Sequence, residues 1–145
     1  VPAILIATPF FGVSLLELGP SLMLLLLSLY IFGMTLGLLV VSGLLKYGPA
    51  FENVAWSSLF LLAPLGCIYY PLSILPDWLQ TIAEALPLVY IFEEVRSILL
   101  NNVVDYSNII SALKLNILYF ISAVLIFYSS FNSARKNGTL INVGE

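Results

Sequence analysis

Histidine is absent from the 145 residues, and cysteine occurs once, at Cys67. Within this chain that excludes catalytic dyads built on histidine, metal sites assembled from His and Cys, and any intrachain disulfide. A lone thiol inside an apolar run is most simply a small packing residue. Charge is scarce as well. Only 9% of residues are Asp, Glu, Lys or Arg, against about a quarter in a soluble domain. The five basic residues are scattered and the net charge is −3, so the chain carries no electrostatic footprint for nucleic acid. A cleavable leader would need a positively charged start and a small-residue cleavage site. Here the chain opens on Val1-Pro2, with neither an initiating Met nor a basic flank. The first apolar run therefore reads as the end of a helix that begins before Val1.

Apolar sequence fills the space that charge leaves. Hydrophobic residues make up 61% of the chain and mean hydropathy is +1.06. Uncharged runs extend from Val1 to Leu16, Leu18 to Leu45, Asn53 to Pro76 and Leu115 to Ala134, and about 20 apolar residues suffice for a helix to cross roughly 30 Å of hydrocarbon. The expected fold is all-α: a polytopic membrane bundle of four spanning helices, the first one short, with a re-entrant helical hairpin on the outer face.

Polar breaks set the expected topology. Gly19-Pro20 marks a turn into the second span, Ser21 to Leu45, because proline is tolerated at a helix start and not inside one. Lys46-Tyr47-Gly48-Pro49 is a stop signal, and the third span is expected from Val54. Trp56 and Trp78 are 22 residues apart, which as one helix is about a bilayer thickness and would put them in opposite aromatic belts. The last span is expected from Leu115 to Phe131, with Lys114 on one side and Arg135-Lys136 on the other. Placing Lys46 and Arg135-Lys136 in the cytoplasm leaves Arg96 and Lys114 outside, which follows the positive-inside rule by a margin of one and puts the C-terminus inside.

The stretch from Ile74 to Lys114 is too long for a turn and too apolar for a solvated loop, and residues 76–102 within it are expected to form a helical hairpin. Asp77 is placed to cap a short helix through Ala83, since a carboxylate accepts from free N–H groups at a helix start. Pro87 is placed to begin a second helix that Asn101-Asn102 ends. Each is too short to cross a bilayer, so the pair is expected to dip into one leaflet and return, with its non-helical backbone covered by protein or water.

At these residues the chain resembles the ABC-2 type permeases, the membrane subunits of ATP-binding-cassette exporters. The resemblance rests on Gly66, Tyr70-Pro71-Leu72-Ser73, Leu75-Pro76, Trp78-Leu79-Gln80, Pro87-Leu88, Tyr90, Glu93 or Glu94, and Arg96, in that order and spacing. Leu86 and Val89 depart from it, standing where the family usually has Asn and Thr. The resemblance implies that residues 1–145 are the C-terminal part of one transmembrane domain, the last four spans of a six-helix permease. It also implies a dimer with a second copy or a paralogue, lodged among the lipids of a bacterial or archaeal inner membrane. Two cytoplasmic ATPases would drive it. No G-x-x-x-x-G-K-[ST] loop occurs in the chain, so no cofactor is expected here and ATP-Mg is expected on the partner ATPase. Polysaccharides, lipids and drugs are the implied classes of exported substrate.

Several features carry two readings. Gly33 and Gly37 form a G-x-x-x-G in the second span, which suits either a subunit contact or, as the favoured reading, packing within one subunit. Glu93, Glu94 and Arg96 suit either a structural ion pair, with Glu93 and Arg96 three apart on a helix, or the exit of a pathway. Lys46, Tyr47, Gly48 and Pro49 form a cytoplasmic loop that either approaches the ATPase or is a plain anchored turn, the favoured reading. Tyr69, Tyr70, Trp78, Tyr90 and Phe92 read as an aromatic belt before a sugar-stacking surface. Asn137-Gly138-Thr139 matches a glycosylation sequon on the side expected to be cytoplasmic. For the whole chain the alternative is a non-transporting membrane scaffold or assembly subunit. A secondary transporter is weaker, since no ionisable residue lies mid-span.

Overall fold

The computed structural model describes residues 19–101 and 103–136, and the regular elements within them are all helices. The Val1–Leu16 run and the Asn137-Gly138-Thr139 sequon lie outside the described residues. Helix α1 is Gly19–Tyr47, 29 residues and about 44 Å long. Pro20 sits in its first turn, where a missing N–H leaves no bond unmade. Gly48 ends the helix in the left-handed region, at φ 74°, donating its N–H to Leu44 O at 2.8 Å. Helix α2, Phe51–Leu65, follows at once. The turn is tight because the Phe51 ring packs where a Cβ on Gly43 would stand and stacks on Tyr47 at 5.9 Å between centroids.

Helix α2 has only 15 residues, about 22 Å, and does not run on to Pro76 as a single span. Pro64 removes a backbone donor from its last turn. Gly66 then closes onto Leu62 O at 2.8 Å, and Cys67 takes a left-handed φ of 53° that stops any further helix. A 3-10 turn at Leu72–Ile74, a short helix α3 at Asp77–Ala83 and helix α4 at Pro87–Asn101 complete the hairpin. Trp56 and Trp78 are both exposed, but the bend between them means that their sequence spacing does not measure a bilayer.

Helix α5 is Tyr106–Lys136, 31 residues and about 46 Å. It begins well before Leu115, because Asp105 caps it: the Asp105 carboxylate accepts from Ser107 N at 2.9 Å. Lys114 therefore lies exposed within a helix rather than at the end of one. Of the described helices, α1 and α5 are long and apolar enough to cross a membrane.

These two helices pack along most of their length. Asn116 Nδ2 donates to Ser28 O at 2.9 Å and to Ser28 Oγ at 2.6 Å. Ser28 lies near the start of α1 and Asn116 near the start of α5, and buried residues continue from there to Ser42 and to Ala134. Only a parallel pair in register can do that. Helix α4 runs the other way along them. Its C-terminal half meets the start of α5, since Glu94 accepts from Asp105 N, and its N-terminal corner lies deeper, where Tyr119 OH donates to Ala85 O at 3.0 Å. Leu25, Ile91, Ile98, Ile109 and Ala112 fill the core between the three helices.

Candidate functional site

The hairpin between α2 and α5 holds the residues that order the motif, and each has a local physical task. Gly66 is buried where α4 presses on the broken end of α2. A Cβ there would lie 2.9 Å from Leu88 Cδ1 and from Leu62 O, so glycine is what lets the two elements meet. Tyr70 OH donates to Pro64 O at 2.7 Å, satisfying a carbonyl that the helix break exposes. Pro71 and Pro76 stand immediately before the 3-10 turn and α3, with the extended backbone that proline favours. Gln80 reaches back to Leu75 O at 2.7 Å and closes the corner between them. Asp77 lies in the first turn of α3, but its side chain does not cap it. The N-cap position belongs to Pro76, with no side-chain cap bond, and Asp77 is left as an acidic residue in the first turn, where its charge suits the helix dipole. Pro87 opens α4 as its position predicts, and is buried.

Two adjacent glutamates hold the hairpin to different neighbours. The Glu93 carboxylate accepts from Arg96 Nη1 at 2.6 Å and from Leu72 N at 2.8 Å. Arg96 Nη2 also donates to Cys67 O at 3.1 Å. The pair thus ties α4 to the segment that follows α2. Glu94, on the next face of the helix, is fully buried. Its Oε1 accepts from Asp105 N at 2.8 Å and its Oε2 from Asn108 Nδ2 at 3.1 Å, so the carboxylate sits at the positive end of α5. Among the described residues Arg96–Glu93 is the salt bridge present. A groove of about 300 Å³ beside it is lined by Ile68, Phe92, Val95, Leu99 and Leu100, with Arg96 at its polar edge.

The aromatic residues do not gather into one cluster. Tyr69 and Trp78 are exposed, Tyr90 packs against the core, and Phe92 lines the Arg96 groove. Gly33 and Gly37 face outward on α1, and no atom of the described residues comes within 4 Å of a Cβ built on either. The favoured reading, packing within one subunit, finds no partner among the described helices. Lys46, Tyr47, Gly48 and Pro49 make the short turn between α1 and α2, with Lys46 Nζ 5.4 Å from the Tyr47 ring centroid.

Sequence reasoning missed Asn116, Asn108 and the cap at Asp105. Asn116 is fully buried in an apolar helix. Its signal was the seven-residue repeat Ser21, Ser28, Thr35, Ser42, which puts small polar groups on one face of α1. Asp105-Tyr106-Ser107 carried a helix-start signal.

A comparison with known proteins bears on this arrangement. Neither a curated protein nor a solved structure matches the chain. The sequence model of the ABC-2 type transporter family matches residues 1–100, a span that contains α1, α2 and the hairpin through Leu100. With the motif residues arranged about one hairpin and two helices fit to cross a membrane, the chain belongs to the ABC-2 type transporter family, the membrane component of ABC transporters.

Proposed function

We propose that this chain is the C-terminal part of a permease subunit in an ATP-driven exporter, that it forms a translocation pathway with a second copy or a paralogue, and that separate ATPase subunits drive it. The family match over residues 1–100 carries this reading. The chain's own chemistry agrees with it: the hairpin offers hydrogen bonds and an ion pair that hold elements together, and no nucleophile paired with a base. On this reading the work comes from a nucleotide-binding partner carrying ATP-Mg.

Placement in the bilayer follows from charge. Lys114 and Arg135 bracket 20 residues of α5, about 30 Å of helix and one hydrocarbon thickness. Parallel register puts Lys46 at the same end of the bundle as Arg135 and Lys136, and exposed Asp77, Glu84 and Asp105 belong to the hairpin end. The basic end is cytoplasmic by the positive-inside rule, with the C-terminus inside and the hairpin outside. The corner at Ala85 lies near Tyr119, and Leu88 shares a groove with Leu29, Phe32 and Gly33. It therefore enters the outer leaflet by several residues beyond Lys114, as a re-entrant hairpin does.

Polysaccharides, lipids and drugs are the substrate classes. Purifying the full-length protein from membranes in mild detergent tests the reading. An ATP-binding-cassette ATPase should co-purify in stoichiometric amount, and a stable complex without any ATPase would overturn it.

A further inference from the structure

One side of helix α3 is fastened to the hairpin, and that fixes what its other side presents. Ala83 is fully buried in a cluster with Cys67 and Val89, and Leu75 and Leu86 pack against it. Gln80 Nε2 donates back to Leu75 O at 2.7 Å. These contacts set how α3 is turned about its axis. The outward surface then divides into two stripes. Trp78 and Ile82, four residues apart and so on one face, are 67% and 51% exposed. Asp77, Thr81 and Glu84, spaced four and three, form an exposed polar stripe beside them, about 100° round the axis.

The two ends of this segment lie at different depths. Ahead of α3, Leu72 donates its N–H to Glu93, whose neighbour Glu94 meets Asp105, nine residues outward of Lys114 along α5. After α3, Ala85 O accepts from Tyr119, five residues inward of Lys114. With Lys114 at the outer edge of the hydrocarbon, the chain crosses that edge along α3. An ionised carboxylate at this depth is costly unless it faces water, whereas Trp and an aliphatic neighbour are favoured at the boundary. One rotation of α3 satisfies both stripes, and it is the rotation that Ala83 and Gln80 impose. At the same depth on α5, Ile117 and Leu118 are exposed as well, so both elements present apolar surface where lipid is expected.

We propose that α3 is an interfacial helix: Trp78 and Ile82 are seated among the headgroups and first methylenes of outer-leaflet phospholipids, and Asp77, Thr81 and Glu84 face water. The inference rests on the bilayer placement given above, and neither the transported substrate nor the ATPase enters it.

Single nitroxide labels at Trp78→Cys, Ile82→Cys, Asp77→Cys and Glu84→Cys test it, in the full-length protein freed of its other cysteines and reconstituted in phosphatidylethanolamine–phosphatidylglycerol vesicles. Power-saturation EPR reads collisions with oxygen, which concentrates in hydrocarbon, and with a nickel chelate, which stays in water. The ratio of oxygen to nickel collisions should be about threefold or more higher at 78 and 82 than at 77 and 84. Equal ratios at the four positions would overturn the proposal. So would labels at 78 and 82 shielded from both reagents, since that result means a protein surface covers the stripe. Ile121→Cys, exposed on α5 within the Lys114–Arg135 interval, separates the two levels of the argument. If its label is not lipid-exposed, the bilayer placement itself fails and the inference with it. If it is lipid-exposed and 82 is not, α3 alone is misassigned.

Discussion

Glu93 and Glu94 are neighbours in sequence, but the helix sends them to different elements, and their environments set different consequences for removing them. Glu94 is fully buried and accepts from the Asp105 N–H just before α5 and from the Asn108 side-chain amide. Glu94→Ala strands the Asp105 N–H and the Asn108 amide, and should lower stability in detergent by about 2–3 kcal/mol in a thermal melt. Glu94→Gln should recover part of that loss, since one carbonyl oxygen remains to accept from Asp105 N. The Glu93–Arg96 pair is partly exposed, with side chains 30% and 24% accessible. Solvent screening holds Arg96→Ala to about 1 kcal/mol by the same measurement. At Gly66 the limit is space. Gly66→Ala drives a methyl into Leu88, and the loss should be partly recovered in Gly66→Ala/Leu88→Ala, a non-additivity that a double-mutant cycle reads directly.

Among the elements, the helix ends marked by proline and asparagine were legible, because those residues act through their own backbone. Pro87 and Asn101 bound α4 where the sequence placed them, and Gly48 ends the turn after α1. Hydrophobicity misled where the question was continuity. The run from Asn53 to Pro76 is uncharged throughout, yet its helix stops at Leu65, since apolar composition reports what can surround a segment and not whether its backbone stays helical. Lys114 misled in the opposite direction. A lysine within a helix can extend its stem toward water, so a charge in the sequence did not mark an end of α5. The clasp between Glu93 and Arg96 was visible as an i, i+3 pair. Glu94 with Asn108 and Ser28 with Asn116 were not, because their partners are 14 and 88 residues away. At this scale Gly43→Leu should expel Phe51 from its contact and loosen the α1–α2 turn, seen as faster proteolysis within residues 47–51 of the full-length protein in membranes.

For the molecule as a whole, a parallel α1–α5 pair fixes which charges share an end. It gathers Lys46, Arg135 and Lys136 at one end, and leaves exposed Asp77, Glu84 and Asp105 at the other. Cysteines introduced at exposed Glu84 and Lys136 should therefore label from opposite sides of sealed cells, Glu84→Cys from outside and Lys136→Cys only after permeabilisation. The central claim concerns energy rather than orientation: the proposed permease is driven by a separate ATPase subunit. ATP hydrolysis in proteoliposomes tests that most directly, comparing the ATPase alone with the ATPase bound to the full-length permease. The account predicts a vanadate-sensitive rate that changes when the permease is present. Equal rates with and without it would contradict the account.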